Sequence, residues 1–107
     1  MKRRKEIPLL SLLKRWDRKY FDGKLPTFEV VFAKPSQKNA HAETTWYPDG
    51  RIEIRLQPYL AAQGRLMAIV LLHEVIHVSL PKNAKHGLKF AAARRRLIRR
   101  GAYDSLL

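Results

Sequence analysis

No cysteine occurs in this chain of 107 residues. That excludes disulfides and any zinc ribbon built on thiolate ligands. Acidic residues are scarce. Nine Asp and Glu stand against 22 Lys and Arg, a formal charge of +13. Such a balance suits a polyanionic partner, whether DNA, RNA or an acidic membrane surface, or else a solvated basic surface. Long apolar runs are missing too. The longest, Met67 to Leu80, is broken by His73, Glu74 and His77 and is too short to span a bilayer. The apolar stretch between Pro8 and Lys14 is too short for a signal h-region. We therefore expect no export segment and no membrane contact, and a cytoplasmic location at or away from the nucleoid.

What remains is enough for one domain with a small core, spanning residues 1–107. Residues 1–7 read as a basic tail carrying Lys2, Arg3, Arg4 and Lys5. From Pro8, Leu9, Leu12, Leu13, Trp16 and Tyr20 make one helical stripe that stops near Gly23. After Pro26 the period becomes two, with Phe28, Val30 and Phe32 on one face of a strand. Residues 41–47 and 51–56 read as an antiparallel hairpin around Pro48-Asp49-Gly50. A helix from Gln63 or Gly64 to Pro81 is apolar nearly all round and so is expected at the buried centre. A last helix, about 87–100, turns Phe90, Ala93, Leu97 and Ile98 inward. Arg95, Arg96, Arg99 and Arg100 project outward, and Arg94 snorkels out of the apolar arc or faces the site. The expected class is α+β: helix, a three-stranded antiparallel-rich sheet, buried helix, C-terminal helix.

The central helix carries His73-Glu74-Val75-Ile76-His77. Histidines four apart share one helix face, so both can reach one metal ion. The glutamate between them stands where a general base must stand, as in H-E-x-x-H zinc hydrolases. A lone buried carboxylate is costly, so Glu74 needs a water, a metal or another partner. A catalytic zinc takes three protein ligands and keeps a fourth position open. After His77 only His86 and Asp104 remain as titratable ligands, and no glutamate follows Glu74. His86, just past the turn at Pro81, is assigned as the third ligand. His41, on the second strand, reads as a surface residue. Tyr47, Tyr59, Tyr103, His41 and Arg94 are all candidates for oxyanion stabilisation, and sequence does not choose among them.

Three stretches together resemble the SprT-like, Spartan-related metalloprotease domain. They are Tyr20-Phe-Asp-Gly-Lys-Leu-Pro26, the His73–His77 motif, and His86-Gly-Leu-Lys-Phe90, and their order covers about residues 8–100. The resemblance implies a minimal zincin-like fold, one catalytic Zn2+ on His73, His77 and His86, Glu74 as catalytic base, and cleavage of DNA-associated or DNA-crosslinked proteins, a role in DNA–protein crosslink repair. Many such domains carry a C-terminal zinc ribbon. Without cysteine, DNA binding here falls to Lys2, Arg3, Arg4, Lys5, Arg95, Arg96, Arg99 and Arg100. Two other readings stand beside this one: a basic nucleic-acid-binding module whose metal site is structural or vestigial, and a zinc peptidase with no link to DNA. Oligomeric state is left open.

Overall fold

A computed structural model describes residues 9–106. The basic cluster Lys2, Arg3, Arg4 and Lys5, and the proline expected in the first turn, lie outside the described residues. The first helix, α1 (Leu9–Tyr20), buries Leu12, Trp16 and Tyr20 at four-residue spacing. Lys14, Arg15, Arg18 and Lys19 are exposed on its other side. The helix ends in a tight turn. Asp22 and Gly23 take successive positive φ values of 57° and 71°. The Phe21 and Gly23 N–H groups both donate to the Asp17 carbonyl, at 3.0 and 2.9 Å. The Asp17 carboxylate then accepts the Leu25 N–H at 3.0 Å. One residue thus closes the turn from both main chain and side chain, and it launches the chain towards the sheet.

Three strands follow: β1 (Glu29–Phe32), β2 (Ala42–Trp46) and β3 (Ile52–Leu56). Their order is β1-β3-β2, so β3 is central. Its Ile54 and Leu56 are fully buried, as the alternation requires. β2 and β3 form the expected antiparallel hairpin, with Thr44 opposite Ile54. β1 lies parallel to β3, with Val30 opposite Ile54. Two reversals of direction between β1 and β3 leave them pointing the same way, so the sheet is mixed. Phe28 and Val30 pack on the core. Phe32, at the end of an edge strand, is 38% exposed and does not share their burial.

A short 3₁₀ turn, Pro58–Ala62, drops Leu60 into the core and leads to α2 (Gly64–Ser79). Met67, Ala68, Leu71, Leu72, Val75, Ile76 and Val78 are buried on α2, with Glu74 among them. The helix is not covered all round. Leu66 is exposed, and Ile69, Val70, His73 and His77 are only half-buried. These positions form one stripe, and that stripe faces an open groove. A 3₁₀ turn at Lys82–Ala84 reverses the chain into α3 (Leu88–Arg99). Phe90, Ala93 and Leu97 face inward as expected, but Ile98 is exposed. It lies about 100° round the helix from Leu97, past the edge of the packed face. Ala102 and Leu106 close the core after α3. Among the described residues no helix is long and apolar enough to cross a membrane.

Candidate metal centre and groove

α2 holds His73 and His77 on its open stripe, one turn apart. The turn after α2 brings His86 back over them. The Nε2 atoms of His73 and His77 each lie 3.0 Å from Nε2 of His86. A tetrahedral zinc with Zn–N bonds of about 2.0–2.1 Å needs ligand nitrogens roughly 3.3 Å apart. The three imidazoles therefore fit one such ion, and their ligand atoms all fall within 4.8 Å of one another. Asp104, the other late candidate, is not in this group. Phe90, from the first turn of α3, forms the base of the centre. Its ring centroid is 4.8, 4.5 and 5.0 Å from those of His73, His77 and His86. One aromatic thus packs against all three rings and limits their rotation.

His73 and His77 are both pushed towards the neutral form. Burial, then the neighbouring His73 and His86, push His77 down to about 4. Burial first, then His86 and Arg94, lower His73 as well. Glu74 is 7% exposed. Burial raises its carboxyl above the ordinary value, and the hydrogen bond from Thr44 opposes that. The Thr44 hydroxyl donates to Oε1 of Glu74 at 2.7 Å. The partner that burial demands is therefore a neutral hydroxyl on β2.

A groove of about 800 Å³ runs past the centre. The three histidines, Glu74, Ile69 and Val70 line one side, and Ala42, Glu43 and Thr44 the other. β2 is an edge strand, and its bonding pattern fixes which groups are free. Tyr47 N–H donates to Arg51 O, and Gln57 N–H to His41 O, so the odd residues 41 to 47 bond to β3. Ala42, Thr44 and Trp46 then turn their N–H and C=O groups outward. The loop before β2 is tied to the strand. Ser36 donates to the Glu43 carboxylate from its backbone N–H at 3.0 Å and from its hydroxyl at 2.7 Å.

The candidates for oxyanion stabilisation separate in space. Tyr47 donates to Glu53 at 2.9 Å on the sheet. Tyr103 is hydrogen-bonded to Arg94, which lies near enough to His73 to affect its charge. Arg94 itself is exposed and is not among the residues that line the groove, as snorkelling out of the apolar arc requires. His41 is hydrogen-bonded to Tyr59, and of these five only His41 lines the groove. Arg95, Arg96 and Arg99 are exposed on α3 and are not among the residues that line the groove. Arg100 is engaged: its guanidinium donates to the Lys19 carbonyl at the end of α1 and lies over the Tyr20 ring.

A profile of the SprT-like family matches residues 9–103. The chain belongs to the SprT-like family. No curated protein matches it. Membership spans nearly every element described above, from α1 to the residues after α3. The three stretches that carry the SprT-like resemblance also acquire physical reasons. Tyr20–Pro26 is the Asp17-closed turn, His73–His77 is the open stripe of α2, and His86–Phe90 supplies both a third imidazole and the ring that packs against all three. Sequence reasoning missed Thr44, and the pattern of β2 does not mark it: Ala42–Trp46 are half-buried throughout, with no alternation to single out one face.

Proposed function

We propose that this SprT-like chain is a zinc-dependent endopeptidase acting on proteins associated with or crosslinked to DNA. One observation carries the catalytic part: three converging imidazoles stand with a buried carboxylate in a groove bordered by an unpaired strand edge. His73, His77 and His86 would hold the ion. When bound, it supplies Lewis acidity and acidifies water. The chain's own groups do the rest. The outward N–H and C=O groups of Ala42, Thr44 and Trp46 pair with an extended substrate backbone. Glu74, oriented by Thr44, accepts a proton from water at its carboxylate and returns it to the leaving amine. Asp104 is not within reach as a fourth ligand, which favours an open catalytic site over a closed structural one.

The DNA part rests on charge. Lys14, Arg15, Arg18 and Lys19 on α1 and Arg95, Arg96 and Arg99 on α3 are exposed cations. Arg100 links the ends of those two helices. Contacts from such a surface go to phosphate and do not depend on base sequence.

The test is metal stoichiometry together with cleavage of an unfolded protein substrate, with and without DNA. One zinc per chain is expected. Glu74→Gln should keep the metal and lose turnover by about 10²–10⁴-fold. His86→Ala should lose the metal. Failure of the zinc-loaded protein to cleave any protein, even with DNA present, would overturn the reading. So would full turnover by Glu74→Gln.

A further inference from the structure

The residue just before His86 has a backbone that lysine rarely takes. Lys85 has φ 46° and ψ −134°. L side chains are disfavoured there and glycine is not. Residues held in such conformations cluster at functional sites, where the surrounding structure imposes them. Lys85 sits at one: it lines the groove beside His86. Among the described residues no other lysine or arginine lines it. Both acids of the lining already have partners, Glu43 in Ser36 and Glu74 in Thr44. Among the described residues no ion pair joins Lys85. An exposed lysine side chain with no ion pair among the described residues therefore stands beside the third imidazole, on a backbone where glycine would be the relaxed choice.

We propose that Lys85 is a substrate-anchoring cation that takes a carboxylate of the bound polypeptide on the His86 side of the scissile bond. The assignment rests on the peptidase reading above. It names a preference within that reading: an acidic side chain, or a free chain terminus, is favoured there over its uncharged counterpart. The competing explanation is purely geometric. Bringing His86 back over α2 demands a positive φ at position 85, and lysine would then be incidental.

Two replacements separate these accounts. Lys85→Gln keeps the disfavoured backbone and removes the charge. Lys85→Gly removes both. The substrates are N-acetylated, C-amidated peptides carrying Glu or Gln at each position near the scissile bond. In the natural protein the Glu-to-Gln ratio of kcat/KM should reach about two- to fivefold at one position at low salt, the scale of an exposed ion pair. It should shrink as ionic strength rises. Both Lys85→Gln and Lys85→Gly should bring the ratio close to one, and Lys85→Arg should preserve it. Only Lys85→Gly should raise the melting temperature. A matched peptide with a free C-terminal carboxylate tells an internal acid from a chain terminus as the favoured source.

A ratio of one at every position in the natural protein overturns the assignment. So does a preference that survives in Lys85→Gln. If no peptide is cleaved at all, binding of the Glu and Gln peptides to zinc-loaded Glu74→Gln protein decides separately. A Lys85-dependent difference in Kd would then sustain the anchoring site, while the protein-substrate test decides the peptidase reading by itself. Equal Kd values would remove the anchoring site.

Discussion

Glu74 and His77 sit four ångströms or so of helix apart, yet burial acts on them with opposite consequences. His77 is held at about 4 against an ordinary 6.5. Between those values the folded chain binds fewer protons than the unfolded one. The stability tied to neutral His77 is therefore present above pH 6.5 and is lost as pH falls towards 4. Glu74 is shifted upward from 4.5, mainly by burial. Its contribution is fully present below pH 4.5 and is lost as pH rises through its folded value. Once Glu74 is ionised, the metal-free protein bears a buried carboxylate whose hydrogen-bond partner is the neutral Thr44 hydroxyl. Metal-free Glu74→Gln should melt above the metal-free natural chain at pH 7. The gap should close as pH drops below 4.5, where glutamate is already neutral. Thermal melts in chelator across that range check this, and equal melting temperatures at pH 7 would refute it. The burial of Glu74 was legible from its place in an apolar run. Its partner was not, because Thr44 is 30 residues away in sequence, and periodicity is silent on contacts at that distance.

Among the elements, the turn after α1 carries most of its geometry in one residue. Asp17 accepts two backbone N–H groups on its carbonyl and a third on its carboxylate. Asp17→Ala removes only the last of these. It should destabilise the fold by about 1 kcal/mol and leave zinc stoichiometry untouched. Denaturant unfolding and metal analysis of the same sample test both halves. The helices were legible because their stripes run for several turns. The hairpin was legible because β3 alternates strictly around a Pro-Asp-Gly turn. The parallel pairing of β1 was not, since alternation reports which face is buried and not which neighbour supplies the hydrogen bonds. Leu66, Ile98 and Phe32 escaped for a related reason. Each is apolar at a margin, where a stripe or strand meets solvent, and pattern alone does not locate the margin.

For the whole molecule the dominant quantity is charge, +13 over 107 residues. Part of it lies on the outer faces of α1 and α3, whose ends Arg100 links through the Lys19 carbonyl. If this surface meets DNA, affinity should fall steeply with salt, with a log–log slope near −0.9 per phosphate contacted. Joint reversal of Arg15 and Arg18 to glutamate should flatten that slope by about two, as measured by anisotropy with duplexes of unrelated sequence. A slope that does not change would place the contacts elsewhere. The composition announced the charge, but only the structure shows that one arginine of the set, Arg100, is already engaged at the Lys19 carbonyl and the Tyr20 ring. The ligands have a different arrangement. His73, His77 and His86 all lie within one helix-turn segment, whereas Thr44 must arrive from a sheet whose strands are far apart in sequence. Closing a short loop costs less entropy than closing a long one. If the three histidines hold an ion, that site closes over a short stretch of chain, whereas the Thr44 bond to Glu74 depends on the sheet. Loosening the sheet should then cost the alignment of Glu74 before it costs the metal.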